Sequence, residues 1–172
     1  AQNLIKAGYA IAGYEIDQAR WQPTDHLLYV NSLEALIQRA SVLLLSLPDG
    51  HTVQSIFEQL LNAYANRSIT VVDTSTIGAK ASQAVEILLR PSNLKYLDSP
   101  VSGGVRGAVA GTLAVMCAGP KNLYNAVLPI LECFSANQFL IGPQPGQAQT
   151  PKVLHNFPSA TDLVASCAAL PF

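Results

Sequence analysis

Charge is what this 172-residue sequence has least of: Asp, Glu, Lys and Arg together make up 12% of it, against 49% hydrophobic residues. Its 10 basic and 11 acidic residues leave a formal net charge of −1, and no Lys/Arg cluster stands out. That excludes a nucleic-acid groove and a polybasic membrane patch, and it suits a surface that meets a small neutral or anionic metabolite. Cysteine is scarce as well. Cys117, Cys133 and Cys167 have neither paired nor metal-ligand spacing, and their odd number argues against a disulfide framework, so the expectation is a reducing, cytoplasmic setting with no metal site. Apolar runs such as residues 42–47 are far too short to span a bilayer, and no signal peptide opens the sequence. What remains is a composition with enough apolar mass for one good core, and disorder is excluded.

The most informative stretch is residues 98–116, DSPVSGGVRGAVAGTLAVM. It opens on Asp98 at the end of a strand, passes through Pro100, Ser102, Gly103, Gly104, Gly107 and Gly111, and re-enters an apolar strand. Adjacent glycines let backbone N–H groups approach a ligand that any Cβ would hold off, and Ser102 adds a hydroxyl donor. Together they form a cradle for a small carboxylate; a flexible turn is the other reading of such a tripeptide.

Around this stretch the hydrophobic period switches repeatedly between helix and strand, which predicts a doubly wound, mostly parallel α/β sheet. Residues 1–7 read as a helix closed by Gly8, residues 9–15 as a strand, and residues 28–30 as another. Asn31 with Glu34 forms a capping box for a helix over 32–39. Residues 42–47 (VLLLSL) are continuously apolar, as expected of a parallel strand covered on both faces, and end in Pro48. Residues 51–65 carry Val53, Ile56, Phe57, Leu60, Leu61 and Tyr64 at helical spacing. Residues 69–73 form a strand, and Thr74, Ser75 and Thr76 are available to cap a helix over 78–89. Strands over 94–97, 112–117 and 139–141 follow, with a helix over 121–134 that Pro129 should kink or break. The loop 142–150, rich in proline and glycine, marks a boundary; Thr150 as N-cap and Pro151 at the first helical position then start a new helix.

The phrase from Asp98 to Leu113 resembles that of the β-hydroxyacid dehydrogenases, the family of 3-hydroxyisobutyrate dehydrogenase and tartronate semialdehyde reductase, with 6-phosphogluconate dehydrogenase as a more distant relative. The resemblance implies a Rossmann-like NAD-binding domain over 1–141, a linker over 142–150, and from 151 to 172 the start of a long inter-domain helix leading to an all-helical domain. It assigns Ser102, Gly103 and Gly104 to the substrate carboxylate. The family's first strand and its G-x-G-x-x-G turn, which holds the cofactor pyrophosphate, have no counterpart ahead of the first helix, so the sequence reads as truncated at both ends. Glu15, at the end of the second strand of that pattern, is placed to accept both ribose hydroxyls of NAD. Where NADP-using members carry arginine, Ile16 stands, so NAD is expected rather than NADP. Leu47 and Pro48 match the family's contacts along the cofactor, and Thr76 matches the threonine that touches the nicotinamide ribose.

Lys152 and Asn156 are four apart and share one face of a helix. A lysine near a helix N-terminus and close to the positive nicotinamide has its ammonium form disfavoured, which suits a general base. The run Lys152-Val-Leu-His155-Asn156 is similar to the family's K-x-x-N-N motif, in the Lys-x-x-His-Asn form of 6-phosphogluconate dehydrogenase, although the loop before it departs from the family pattern. The resemblance therefore implies an NAD-dependent oxidoreductase interconverting a small 3-hydroxy acid and its semialdehyde, with Lys152 and Asn156 as the catalytic pair. It also implies a homo-oligomer formed through the C-terminal helix. The alternative is a non-catalytic remnant that serves as a binding or oligomerisation module.

Overall fold

In the computed structural model, which describes residues 1–21 and 25–154, helices and strands alternate much as the hydrophobic periods require. The first half runs α1 (Gln2–Lys6), β1 (Ile11–Gly13), a short 3-10 turn (Gln18–Arg20), β2 (Leu27–Tyr29), α2 (Leu33–Ile37), β3 (Val42–Leu45), α3 (Gly50–Tyr64) and β4 (Thr70–Asp73). The second runs α4 (Ala79–Leu89), β5 (Lys95–Asp98), β6 (Val101–Ser102), α5 (Gly104–Ala110), β7 (Leu113–Ala118), α6 (Lys121–Glu132) and β8 (Ser135–Gly142), after which residues 149–154 are helical.

Strands β3, β4 and β5 are parallel, and their register sets Leu45, Asp73 and Asp98 in one row at the carboxyl ends. β7 joins β5 antiparallel at the Asp98–Ala118 pair, carries the short β6 antiparallel, and takes β8 parallel. β1 and β2 pair parallel in a separate two-stranded sheet. Because side chains alternate across a sheet, Val71 and Tyr96 pack beneath α2, α3 and α4 with Val53, Phe57, Leu60 and Val85. Their neighbours Val72 and Leu97 pack on the opposite face with Leu123, Val127 and Leu131 of α6. Helices thus cover both faces of a mostly parallel sheet, the Rossmann-like α/β architecture expected from the alternation.

Several local expectations are corrected. The cap of α2 is Ser32, not Asn31: its Oγ accepts from Ala35 N at 3.2 Å. Pro129 does not break its helix, for α6 continues through it to Glu132. The last strand is eight residues long, not three, because pairing with β7 extends it past its weak local pattern. Residues 104–110 form a helix where the sequence suggested only a bend. Helicity in the final segment begins at Gln149, ahead of Thr150.

The core is knitted by one aromatic contact and one buried polar chain. Phe57 and Tyr96 meet edge to face at 5.2 Å. The Tyr96 hydroxyl donates to Asp73 Oδ2 at 3.3 Å and lies 3.2 Å from Ser82 Oγ, while Asp73 Oδ1 accepts from Ser75 N at 3.0 Å. Asp73 is fully buried, and burial pushes its carboxyl up to about 6 against the opposing pull of the Ser75 hydrogen bonds.

Phe57 is completely enclosed, so Phe57→Ala is expected to cost about 3–5 kcal/mol in urea unfolding, through lost transfer energy and the cavity left behind. The folded pKa of Asp73 lies above the ordinary carboxylate value, so the native state holds its proton more tightly than the unfolded chain. Its contribution is full below about pH 4 and is lost as pH rises through about 6, a decline on the order of 3 kcal/mol. Denaturant unfolding across that window should show this slope, and Asp73→Asn should flatten it.

Candidate functional site

Open α/β sheets bind ligands beyond the carboxyl ends of their strands. Here those ends are tied together by loops. After β3, Leu47 N donates to Ser75 Oγ at 2.8 Å, and Leu45 O accepts from both Thr74 N (2.9 Å) and Thr74 Oγ1 (2.6 Å). The Leu47–Pro48 turn and the 74–76 loop are therefore one unit, with Pro48 and Thr76 exposed on it. Thr74 and Ser75 are spent on these bonds and do not cap α4. That helix starts at Ala79, with Gly78 as its N-cap and no side-chain cap.

The side chain of Gln149 holds the residues that lead into α4. Its Oε1 accepts from Ile77 N (3.0 Å) and Gly78 N (3.1 Å), the two amides just ahead of the helix. Its Nε2 donates to Ser75 O (3.1 Å) and to Asp98 Oδ1 (2.6 Å). Asp98 Oδ2 accepts in turn from Gly146 N at 2.8 Å. Gln149 and Asp98 are both fully buried, and burial raises the Asp98 carboxyl above its ordinary range while the Gln149 and Gly146 bonds pull it back. Gly146 sits at φ +91°, and a Cβ there would meet Ala79 O at 2.8 Å, so the backbone approach that reaches Asp98 requires glycine.

This clamp brings the two halves of the expected site onto connected segments. Asp98 leads through Pro100 into β6 and Ser102; Gln149 begins the helical segment that carries Lys152. Ser102 is half-buried and pairs with Ala114 of β7. Gly103 and Gly104 follow at φ +127° and +60°, conformations an L side chain rarely adopts. A Cβ at Gly103 would press on Leu113 Cδ2 at 3.0 Å, whereas nothing lies within 4 Å of one at Gly104. The bend is thus packed on one side and open on the other, the form a cradle for a small anion requires.

Lys152 is buried, and desolvation lowers the pKa of its amine. Its backbone N donates to Ala148 O at 3.4 Å. Asn156, and His155 beside it, lie outside the described residues. Glu15 stands two residues beyond β1, on the separate sheet; its Oε1 accepts from Asp17 N at 3.0 Å, and its carbonyl accepts from Trp21 Nε1 at 3.0 Å. Trp21 stacks on Tyr29 with ring centres 4.6 Å apart. Leu47, Pro48 and Thr76 are gathered at one sheet end, with Leu47 half-buried and Pro48 and Thr76 exposed. Among the described residues no group of three His, Cys, Asp or Glu side chains could hold a metal, and no helix is long and apolar enough to cross a membrane.

Asp73, Tyr96 and Gln149 are not singled out from the sequence, and Ser75 stands there only as a possible helix cap. Two acids ending successive strands were the available signal for Asp73 and Asp98; a glutamine in a turn-rich loop gives none.

Residues 1–142 match the family described as the NAD binding domain of 6-phosphogluconate dehydrogenase. The chain is 30% identical to the NAD-dependent L-serine dehydrogenase of Pseudomonas aeruginosa, over 99% of this chain and 58% of that protein. It is likewise 30% identical to a probable 3-hydroxyisobutyrate dehydrogenase of Mycobacterium tuberculosis H37Rv, over 95% of this chain and 55% of that one. The structure of a Mycobacterium tuberculosis 3-hydroxyisobutyrate dehydrogenase with L-serine superposes with a TM-score of 0.83 at 29% identity, covering 95% of this chain and 56% of that one. The chain therefore spans a little over half the length of these relatives. With its mostly parallel sheet, its Ser-Gly-Gly bend and this match, the chain belongs to the NAD(P)-binding domain family of 6-phosphogluconate dehydrogenase, among the 3-hydroxyisobutyrate dehydrogenase-like β-hydroxyacid dehydrogenases.

Proposed function

We propose that this chain supplies the cofactor domain and the substrate cradle of an NAD-dependent dehydrogenase that interconverts a small 3-hydroxy acid and its semialdehyde. The observation that carries the reading is the Gln149–Asp98 hydrogen bond. It pins the segment bearing a desolvated Lys152 to the strand end that runs into Ser102.

Residues 1–141 form the cofactor domain in this reading, 142–150 the joint, and 151–172 the start of the helix to a second domain and to an oligomer partner. Leu47, Pro48 and Thr76 line the nicotinamide half of the cofactor, and the Glu15 carboxylate takes the adenosine ribose. A 2′-phosphate would meet that carboxylate with no cation beside it at Ile16, which favours NAD over NADP. When bound, NAD supplies the hydride acceptor. The substrate carboxylate rests on Ser102 Oγ and the amides of Gly103 and Gly104, which fixes the carbinol carbon in place. Burial favours the neutral amine of Lys152, which takes the hydroxyl proton as oxidation proceeds and returns it in the reverse reaction. Asn156 orients the amine and the hydroxyl.

In the longer enzyme, Lys152→Ala is expected to lower kcat about 10²–10⁴-fold with little change in KM, as for loss of a general base. Ser102→Ala should raise KM for the hydroxy acid about tenfold or more, the effect of losing a hydrogen bond to a charged group. The kcat of the unmodified enzyme should rise with pH through a lysine pKa below the ordinary value, and Lys152→Ala should remove that limb. Fluorescence titration of the 172-residue chain with NADH is expected to saturate. No binding at about millimolar cofactor would instead favour the non-catalytic binding module.

A further inference from the structure

Thr76 and Lys152, which take the cofactor and the proton in the proposed reaction, come from segments far apart in sequence, and one side chain reaches both. Gln149 is fully buried and grips the main chain on either side of Thr76. Its Nε2 donates to Ser75 O at 3.1 Å, and its Oε1 accepts from Ile77 N at 3.0 Å. Those two groups belong to the two peptide planes that flank the Thr76 Cα, so a single carboxamide fixes how Thr76 is turned, although that residue is exposed. Oε1 also accepts from Gly78 N at 3.1 Å, and Nε2 gives its second hydrogen to Asp98 Oδ1 at 2.6 Å. Both donors and both acceptor sites of the amide are then in use.

Gln149 also opens the helical segment 149–154. Lys152 follows it by three positions, which puts the two buried residues on one face, a turn apart. The backbone gives this turn little support of its own, since Lys152 N reaches Ala148 O only at a long 3.4 Å. Ala148 seats the turn against Met116 and Ala118 of β7. That contact fixes where the turn lies, and the Gln149 amide fixes how it is rotated toward the 75–78 loop.

We infer that Gln149 is a positioning residue of the reaction. It holds the Lys152 amine and Thr76 in one frame, so that proton and hydride transfer are aligned by a group that touches neither substrate nor cofactor. The inference rests on the reading of Lys152 as the base. Among the described residues the titratable side chain bonded to Gln149 is Asp98; Asp73 faces the same junction from the neighbouring strand, through Ser75 N.

The test is made in the longer enzyme with Gln149→Met, which keeps the length of the side chain and removes its amide. A fall in kcat of about tenfold or more is expected with KM for the hydroxy acid little changed, the signature of misplaced reacting groups. In the cofactor-free protein, the Cε NMR resonance of Lys152, assigned by its loss in Lys152→Arg, should titrate about half a unit or more closer to the ordinary lysine value, because an amine released from its seat regains water. A role confined to stability would lower Tm and leave that titration in place. Should Gln149→Met not fold, Gln149→Glu keeps the acceptor bonds, and its carboxyl can donate to Asp98 while protonated. Its activity relative to the unmodified enzyme should then fall as pH rises through that ionisation and sets two carboxylates face to face. Gln147→Ala removes a bond to Gln144 N within the loop and should change none of these readouts. An unchanged kcat or an unchanged Lys152 titration in Gln149→Met, a pH-independent activity ratio in Gln149→Glu, or an equal response in Gln147→Ala overturns the inference. Full activity of Lys152→Ala would overturn the reading of Lys152 as the base instead.

Discussion

The hydrogen bond between Gln149 and Asp98 is the interaction on which the arrangement of this molecule most depends. A carboxylate removed from water at a sheet end is costly unless its oxygens are met, and here one meets the Gln149 amide and the other the Gly146 N–H. The same glutamine accepts from the two backbone amides just ahead of α4 and bonds the Ser75 carbonyl. Three segments far apart in sequence, 75–78, 98 and 146–149, are thereby fixed by one side chain. Loss of any partner leaves the others buried and unsatisfied, which is why such a junction holds its geometry more firmly than its net energy alone would suggest.

From that junction the candidate site follows outward. Ser75 transmits its position to Leu47, so the turns after β3 and β4 move as one, and Asp98 sets where the chain leaves β5 for the serine-diglycine bend. In the proposed reading these contacts serve one rim for a dinucleotide and one for a small acid, with a desolvated amine on the helical segment anchored beside them. Rigid loops on a parallel sheet are how this architecture positions reacting groups without relying on side-chain length.

Much of this was legible in the amino-acid order. The run at 42–47 and the periodic helix at 51–65 located the sheet and a helix packed on it, because burial on two faces and on one stripe leave different periods. What escaped detection was cooperative. Pairing with β7 lengthened β8, Gly104 to Ala110 coiled into a helix despite two glycines, and Ser32 displaced Asn31 as the cap. Each outcome depends on partners distant in sequence or on a choice between two adequate local residues. Gln149 is the extreme case, since nothing in its neighbours announces a buried amide with four partners.

The two glycines of the bend differ in a way that bears on how this scaffold diversifies. Gly103 is hemmed in by Leu113 and strained for any other residue, so it is fixed by the fold. Gly104 has the left-handed geometry that asparagine and aspartate tolerate, with empty space where their side chains would project. A polar side chain could therefore enter at 104 while the sheet stays untouched, whereas any change at 103 must displace Leu113.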